Sequence, residues 1–423
     1  MPGDSENDLD NSRLPAWEQP ERPEWVRRFN EEGALLDMAS VCPLDSESLL
    51  SQARRNTGLD NFGDDDWREP FEVLVGALED EAQLTPLGRV MTRADLVTLL
   101  EGRLKVEDLY TRHPEVDDEV IDKPFFIVGQ GRSGTTYLQR LMGLPPGNRT
   151  TTDVDGLWPI RERGREAEYE QRAFDRMRMW SRVTPQVESI HDFAATTPCE
   201  TIRLEAFSFR CPAWLNLLGL TPTFNAWLGG QSVTLPLSYA KRILKAQQFL
   251  DPGYQWVLKS PEAIGYLPKL LEVFPDARLI WGHRDPIKAM SSMVDMIGTM
   301  MFIRSDQKLD AAYEFVTNPA VVAPIMEGPI DLIENGSLPK DRLYNVQYGD
   351  LMDDPVAVVA AIYQHFGEPF LDEAQSAIAK YVRDNPRTKR PAHEYSTGKD
   401  KQVSAERAAF RRYQSYFAVP DEV

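Results

Sequence analysis

A short segment combines glycines with hydroxyl and basic side chains in an order typical of a phosphate-binding loop. Residues 125–141, FFIVGQGRSGTTYLQRL, begin with four apolar residues, pass through three glycines and end in an amphipathic stretch. This order predicts a strand, a turn and a helix. We expect Gly129, Gly131 and Gly134 to adopt positive φ, so that backbone N–H groups and the helix N-terminus point at one phosphate.

Side chains of the same loop supply further donors. The guanidinium of Arg132 matches phosphate oxygens bidentately. Hydroxyl groups follow at Ser133, Thr135 and Thr136. The loop therefore predicts a local anion site, although a glycine-containing turn that only caps a helix is the alternative interpretation.

The loop differs from that of a nucleoside-triphosphate kinase. Such a loop has GxxxxGK followed by Ser or Thr, whose Lys contacts the terminal phosphates and whose hydroxyl holds magnesium. Here Gly134 lies five residues after Gly129, and Thr135 stands where the Lys is required. The spacing disfavours an ATP-dependent kinase, which we keep as an alternative.

A second segment has the features of another anion contact. In RLIWGHRDPIKAMSSMVDM, Arg284 follows an apolar run and Pro286 suits the first turn of a helix. Ser292 lies eight residues after Arg284, which is about 80° beyond two full helical turns. Ser292 is therefore expected near the strand exit, where it can share a phosphate with Arg284. The alternative is an Arg in a surface ion pair and a Ser that only permits close helix packing.

Local donors are needed because the chain as a whole is acidic. Its 423 residues carry 47 basic and 66 acidic side chains, a formal net charge of −19. This charge opposes binding to nucleic acid or to an anionic membrane.

The three cysteines show no CxxC spacing, which predicts neither disulfides nor a zinc site and favours a cytoplasmic location. We expect no signal peptide and no transmembrane segment, and we leave the oligomeric state open.

Three regions differ in pattern. Residues 1–33 are polar and predict a weakly ordered arm. Residues 34–120 show apolar stripes at helical spacing, with Thr92 as a candidate N-cap, and predict a helical extension. Residues 121–423 alternate short apolar runs with helical stretches, which predicts an α/β domain with a parallel sheet flanked by helices. The candidate strands are 125–128, 256–258, 278–281 and 343–347.

An aromatic-rich run over residues 198–237 has two interpretations. It contains Phe207, Phe209, Trp214, Phe224 and Trp227. These side chains either line an apolar site for a small molecule or form ordinary core, because aromatic residues become buried in both cases.

Taken together, the motifs resemble the sulfotransferase family that uses 3′-phosphoadenosine 5′-phosphosulfate (PAPS). The similarity covers residues 123–370, with the loop at 129–136 and the Arg-Asp-Pro segment in the family's order. WVLKSPEAIGYLPKLLEVFPDARLIWGHRDP and YNVQYGDLMDDP are similar to two further segments of that family. The Arg-Ser-Gly-Thr-Thr loop and the helical extension resemble its bacterial subfamily, and the resemblance implies a P-loop-like fold.

The resemblance also implies roles for named residues. The 5′-phosphosulfate would be held by Arg132, Ser133, Gly134, Thr135 and Thr136. Arg284 and Ser292 would hold the 3′-phosphate, and Tyr137 and Tyr348 would flank the adenine. Most eukaryotic cytosolic members carry Lys in place of Arg132 and Trp in place of Tyr137.

Sulfuryl transfer requires stabilisation of the charge on the departing 5′-phosphate and removal of the acceptor proton. Lys259, at the end of the strand at 256–258, is our candidate to polarise the transferring group beside Arg132. The alternative for Lys259 is a solvated surface lysine. Arg132 and Lys259 are thus both candidate catalytic residues.

The base is less determined. His191 lies 59 residues after Arg132, close to the interval in cytosolic relatives, and imidazole is largely neutral at cytosolic pH. Relatives of the bacterial subfamily often carry His where Ala263 stands. Glu200 and Glu262 are therefore carboxylate alternatives, either as the base or as the group that orients His191.

Two further predictions concern the rim of the site. His283, directly before Arg284, is expected to shape the 3′-phosphate site. The segment HEYSTGKDK, residues 393–401, is also similar to the family. We leave open which basic residue closes over the nucleotide, among Arg387, Lys389, Arg390 and Lys399.

The sequence thus predicts an enzyme that moves a sulfuryl group from PAPS to a hydroxyl or amine of a small-molecule acceptor, for which apolar and lipid-like molecules are candidates. The product nucleotide is 3′-phosphoadenosine 5′-phosphate (PAP), and no metal is expected. The alternatives are a small-molecule kinase and a nucleotide-binding protein without catalysis.

Overall fold

A five-stranded parallel sheet forms the centre of the protein. The computed structural model describes residues 17–190, 195–308, 316, 318–386 and 400–423. The strands are β1 Phe125–Gly129, β2 Asn148–Thr150, β3 Gln255–Lys259, β4 Arg278–His283 and β5 Leu343–Gln347. Their order across the sheet is β2-β3-β1-β4-β5. The predicted α/β class with a parallel sheet is confirmed, and four of the five strands were predicted.

The central position of β1 determines where the site forms. On one side Phe125 pairs with Val257 of β3, and on the other with Arg278 of β4. Four of the five residues of β1 are apolar and all are buried, as expected for an inner strand of a parallel sheet. Because parallel strands end at the same edge, the loop after β1 lies between the ends of β3 and β4.

Helices precede the sheet and cover it. The helices before β1 are α1 Glu24–Gly33, α2 Met38–Val41, α3 Ser46–Thr57, α4 Arg68–Asp80 and α5 Pro86–Arg112. Those between β1 and β3 are α6 Thr135–Met142, α7 Asp153–Leu157, α8 Glu166–Val183, α9 Val187–Ile190, α10 Ile202–Glu205, α11 Pro212–Leu215, α12 Pro222–Leu228 and α13 Thr234–Leu250. Then follow α14 Leu267–Val273, α15 Pro286–Phe302, α16 Pro319–Glu334, α17 Tyr348–Asp353, α18 Pro355–His365, α19 Asp372–Asp384, α20 Asp400–Arg407 and α21 Arg411–Phe417. Short 3-10 helices lie at Asp65–Trp67, Pro114–Asp118, Ala206–Ser208, Asn216–Leu218, Pro261–Tyr266, Lys340–Arg342 and Ala408–Phe410.

The long helix of the extension begins earlier than predicted. Thr85 is its N-cap, and the Thr85 hydroxyl accepts a hydrogen bond from Gly88 N at 3.1 Å, with Pro86 in the first turn. Thr92, the predicted cap, lies inside the helix and is fully buried. A Thr-Pro pair is the stronger start signal because Pro has no N–H to leave unsatisfied.

One hydrophobic core continues from the helical extension into the sheet. The cluster that contains Trp67 and Phe71 of the extension also contains Phe126 and Trp281 of the sheet. Helix α5 lies so close to the buried Phe207 that a Cβ at Gly102 would be 2.2 Å from its ring. The division at residue 120 stays a prediction about domains, but the core is shared across it.

The described part of the predicted arm, residues 17–33, is more structured than its composition suggests. Within the arm predicted for residues 1–33, residues 24–33 form α1, which buries Val26. Arg22 donates to Asp306 Oδ1 at 2.9 Å and to the Phe302 carbonyl at 2.7 Å. Long-range contacts of this kind, which composition does not reveal, offset the entropy of ordering the segment. Across the ranges described, no helix combines the length and apolarity needed to cross a bilayer.

Candidate functional site

The loop after β1 is a tight turn with three left-handed residues. Gly129 has φ 128°, Arg132 has φ 70° and Gly134 has φ 87°. Gly131 was also expected at positive φ, and the structure places Arg132 there instead. Gly131 is required for a different reason, since a Cβ at this position would lie 2.1 Å from Met293 Cε on α15. The loop is therefore pressed against the neighbouring helix.

Hydroxyl groups hold the loop in this shape. Ser133 is 2% exposed, and its Oγ donates to the Gln130 carbonyl at 2.7 Å. Helix α6 begins directly after Gly134, so its first N–H groups face the loop. Thr136 Oγ1 accepts a hydrogen bond of 2.7 Å from Lys259 Nζ. The loop thus joins a helix N-terminus to a buried cation.

The two anion segments predicted from sequence meet in space. Arg132 Nε donates to Ser292 Oγ at 2.8 Å, and Arg284 Nη1 donates to the Arg132 carbonyl at 2.9 Å. The Arg284 guanidinium lies 4.0 Å from the centre of the Tyr348 ring. A Cβ at Gly134 would approach the same ring to 3.1 Å. Two guanidinium groups, a hydroxyl and an aromatic ring therefore surround one corner of the loop.

Tyr137, the other predicted adenine neighbour, lies in the first turn of α6. It is half-buried and packs against the apolar cluster of Phe125, Leu138 and Val346. Tyr348 is the tyrosine whose ring stacks on the Arg284 guanidinium.

Lys259 is a buried cation and not a solvated lysine. Its side chain is 0% exposed, and its Nζ lies 3.1 Å from Glu200 Oε1 as well as 2.7 Å from Thr136 Oγ1. It pairs in register with Ile127 of β1, which aims it at the start of α6. A buried ammonium is stable only when paired and hydrogen-bonded, and Glu200 supplies that charge. Glu200 itself is 28% exposed, so it faces both the lysine and solvent.

His191 and the predicted basic closing residues lie outside the described residues. This applies to Arg387, Lys389, Arg390 and Lys399, and to His393 and Tyr395. The residue before His191 is described: the Ile190 carbonyl accepts a hydrogen bond from Arg132 Nη1 at 3.0 Å. Arg132 therefore holds the end of α9 against the loop.

A cluster of buried acids lies behind Lys259, and sequence reasoning did not predict it as a cluster. Ser260 Oγ donates to Glu262 Oε1 at 2.6 Å, and Tyr266 OH donates to the same oxygen at 3.3 Å. Burial and the charge of Glu200 raise the pKa of Glu262 to about 7. Glu205, which is 3% exposed, has its pKa raised well above the usual range by burial and the charge of Glu262. Its only sequence signal is a single acid in the apolar stretch TIRLEAF.

The raised pKa of Glu262 predicts a pH-dependent stability. Between the ordinary pKa of 4.5 and about 7, the folded state keeps a proton that the unfolded state has released. The free energy of unfolding therefore falls as pH rises through that window. Glu262→Gln cannot release a proton at this position, so the variant lacks this loss. Between pH 4.5 and pH 8, the free energy of unfolding of the variant minus that of wild type should therefore increase by roughly 1–3 kcal/mol. Urea unfolding at several pH values measures the difference, and a difference independent of pH would contradict the assignment.

His283 fixes a helix and does not face the loop. Its ring lies 2.9 Å from Tyr413 OH and 2.9 Å from Asn345 Oδ1, and it stacks on Phe417 with centroids 4.3 Å apart. Burial lowers the pKa of His283 to about 4, so the ring is neutral at ordinary pH. His283, the last residue of β4, attaches the helix Arg411–Phe417 to this strand directly before Arg284.

The aromatic run after Pro198 is mostly core. Phe207, Phe209 and Phe224 are 0% exposed. The Phe209 ring packs on Phe71 of the extension with centroids 5.0 Å apart. Trp214 and Trp227 are only partly buried against the core. The core interpretation therefore holds for the three phenylalanines.

A contact at Arg284 was not predicted. Glu422 accepts hydrogen bonds from Arg284 Nε at 2.9 Å and from Arg284 Nη2 at 2.8 Å, one to each carboxylate oxygen. The two residues are 138 positions apart, so no local pattern could reveal the pair.

Comparison with known proteins gives one family. A family model described as "Sulfotransferase family" matches residues 124–373. The omega-hydroxy-beta-dihydromenaquinone-9 sulfotransferase Stf3 of Mycobacterium bovis is 26% identical over 282 residues, which cover 63% of this chain and 68% of the relative. The Stf3 protein of Mycobacterium tuberculosis matches with the same figures.

Solved structures agree with this. Sulfotransferase STF9 of Mycobacterium avium superposes with a TM-score of 0.76 at 25% identity, covering 89% of this chain and 98% of that chain. Sulfotransferase STF1 of Mycobacterium tuberculosis H37Rv superposes with a TM-score of 0.69 at 27% identity, covering 88% of this chain and 98% of that chain. The similarity therefore includes the helical extension as well as the sheet.

Proposed function

Because this chain belongs to the sulfotransferase family, we propose that it transfers a sulfuryl group from PAPS to a hydroxyl of an apolar small molecule. Membership of this family makes the chain a transferase of the sulfotransferase type. The family implies PAPS as the donor. The observation that carries the proposal is the meeting of Arg132, Ser292 and Arg284 at the corner of the loop.

The residues of the loop fit the 5′ end of the donor. Gly129 and Gly134 adopt the left-handed φ that lets successive backbone N–H groups of a loop point at one anion. Met293 leaves no room for a side chain at Gly131, which keeps the loop compact. This local set of donors is what an acidic protein needs to bind a polyanion. PAPS supplies an activated sulfuryl group, and the loop residues 132–136 bind and orient its phosphate end.

The 3′-phosphate is assigned to Arg284 and Ser292. The Nε and Nη2 edge of Arg284, which donates to the Glu422 carboxylate in this structure, has the geometry that suits bidentate binding of a phosphate. Its position over Tyr348 supports the assignment of that ring to the nucleotide side of the site. Tyr137 stays a prediction that rests on the resemblance alone.

Lys259 is proposed as the residue that stabilises the leaving group. Its charge is fully buried and bridges Thr136 and Glu200. A positive charge already oriented in a dry site stabilises negative charge that develops during transfer. Glu200 pairs with the charge of Lys259 and, together with Thr136, orients it toward the loop. The carboxylate of Glu200 is then a partner of the lysine and not the first choice as base.

His191 remains the proposed base, and Glu200 and Glu262 remain the alternatives. The support is the contact between Arg132 and the Ile190 carbonyl, which attaches the preceding residue to the loop. A neutral imidazole near an ordinary pKa of about 6.5 can accept the proton of the acceptor hydroxyl.

The acceptor is proposed to be an apolar molecule with a hydroxyl group. The support is the relative from Mycobacterium bovis, whose name states that it sulfonates an omega-hydroxy-beta-dihydromenaquinone-9. An amine acceptor and the cytoplasmic location stay predictions. No observation favours the kinase, because Thr135 occupies the position of the required lysine.

Arg284→Ala tests the nucleotide site. The variant is expected to weaken PAP binding by about 30-fold, since a charge-assisted phosphate contact contributes roughly 2 kcal/mol. Binding of AMP, which lacks the 3′-phosphate, should change by less than about threefold. Titration calorimetry measures both ligands.

Arg412→Ala is the matched control for this experiment. Arg412 carries the same charge but pairs with Asp331 and Glu334 on the surface. PAP binding should be unchanged in this variant. Equal PAP affinity for wild type and Arg284→Ala, or no PAP binding by wild type, would contradict the proposed function. Transfer of label from PAPS to a hydroxylated lipid would establish the reaction itself.

A further inference from the structure

The end of the described chain folds back onto the nucleotide site. Helix α21 ends at Phe417, and Ala418, with φ 53°, turns the chain. Val419 N donates to the Gln414 carbonyl at 2.9 Å. Residues 418–423, which we call the tail segment, then run to Arg284. Because His283 fixes α21 through Tyr413 and Phe417, the tail segment starts from a rigid base.

Asp285 attaches the backbone of the tail segment. This carboxylate is 0% exposed, and its Oδ2 accepts a hydrogen bond from Glu422 N at 2.7 Å. Arg407 Nη2 donates to the same oxygen at 3.1 Å and also to the Val423 carbonyl. Arg407 further pairs with Asp421. Asp285 therefore holds the tail segment at Glu422, and Arg407, which Asp285 binds, holds it on both sides at Asp421 and Val423.

The side chain of Glu422 uses the edge of Arg284 that suits a phosphate. Nε and Nη2 of Arg284 donate to its two carboxylate oxygens at 2.9 and 2.8 Å, which is a bidentate pair. Nη1 of Arg284 is directed instead to the Arg132 carbonyl. Nη1 therefore fixes Arg284 to the loop, while the Nε and Nη2 edge binds the Glu422 carboxylate.

We propose that Glu422 occupies the 3′-phosphate site, so that the tail segment must leave Arg284 before the donor nucleotide binds fully. The inference rests on the proposed function because it uses Arg284 as the phosphate contact. The same N–H groups cannot serve a carboxylate and a phosphate together, and two anions at one guanidinium repel each other. The tail segment is thus an internal competitor of PAPS and PAP.

The strength of the contact suits a displaceable competitor. Arg284 is 13% exposed and Glu422 is 27% exposed, so the pair is partly solvated. Such a pair contributes little net stability, and a phosphate with up to two negative charges competes well against one carboxylate. The tail segment is expected to lower the affinity for PAP by about 3- to 10-fold and not to block it.

Calorimetry of Glu422→Gln tests the proposal. The variant should bind PAP about 3- to 10-fold more tightly than wild type, and its affinity for AMP should stay within about twofold. Glu32→Gln is the matched control, because it removes the same charge from an exposed pair with Arg28 in α1. The control should bind PAP as wild type does.

Each outcome decides one of the two claims. If Arg284→Ala binds PAP more weakly than wild type but Glu422→Gln binds it equally, the tail segment is not a competitor of PAP. The proposed function stands in that case. No PAP binding by either wild type or Glu422→Gln overturns the proposed function and this inference with it. Tighter binding of AMP as well as PAP in Glu422→Gln also overturns the competitor, because the effect would not depend on the 3′-phosphate.

Hydrogen exchange of the unmodified protein gives a second readout that needs no variant. Saturation with PAP should speed amide exchange in peptides covering the tail segment, since Glu422 N loses its bond to Asp285 when the segment is released. Saturation with AMP should leave exchange there unchanged. Protection that persists under saturating PAP would overturn the release.

Discussion

Lys259→Met is expected to lower kcat by about a thousandfold, while PAP binding weakens by less than about tenfold. The variant removes a charge that is 0% exposed and lies 2.7 Å from Thr136 Oγ1 at the start of the helix after the loop. Stabilisation of developing charge acts mainly on the transition state, so the effect should appear in kcat rather than in binding. Single-turnover transfer of labelled sulfuryl from PAPS measures it.

Two controls separate this effect from a loss of folding. Lys259→Met leaves the Glu200 carboxylate without its lysine, so the double variant Lys259→Met, Glu200→Gln removes both charges and should fold with equally low turnover. Lys269→Met removes an exposed lysine that pairs with Glu272, and its turnover should match wild type. A folded Lys259→Met protein that keeps turnover within about threefold of wild type would reject the role.

His191→Ala is expected to lower kcat by about 100- to 1,000-fold without changing PAP affinity. A general base must be deprotonated, so activity of the wild type should rise with pH through the pKa of the base. That acidic limb should lie near the ordinary pKa of His, about 6.5, and disappear in the variant. A pH profile of kcat/KM measures it.

Comparison of three variants identifies the base. His113→Ala is the matched control, since His113 is a partly exposed residue after α5 that pairs with Glu115. Its pH profile should equal that of wild type. If Glu200→Gln or Glu262→Gln loses the acidic limb and His191→Ala keeps it, the base is that carboxylate and His191 has no catalytic role.

Four strands were predictable because buried strands appear in the sequence as short runs of apolar residues. Residues 125–128 and 279–281 are runs of buried apolar side chains, which inner parallel strands require. β2, Asn148–Thr150, was missed since it is a three-residue edge strand whose polar side chains are only half-buried. Edge strands of this length carry no apolar pattern to detect.

The positions of site residues were predictable where two residues lie close together in the chain, and not where distant segments meet. The spacing of Arg284, directly after β4, and Ser292 on α15 predicted that both lie near the strand exit, and each contacts Arg132 there. The carboxylates Glu205 and Glu262 come together only through the packing of two helical segments. Glu422 reaches Arg284 from the far end of the chain. Such encounters depend on the tertiary fold, which residue spacing does not encode.

The aromatic contacts between the extension and the sheet domain have a practical consequence. Trp67 and Phe71 pack against Phe209, and α5 packs on Phe207, so neither side has a water-compatible surface at this boundary. A fragment that starts at residue 121 would present these rings to solvent and should precipitate or bind non-specifically. A shortened enzyme would therefore need polar side chains on the surface that the extension covers, because removal of the helices alone exposes the apolar residues that they bury.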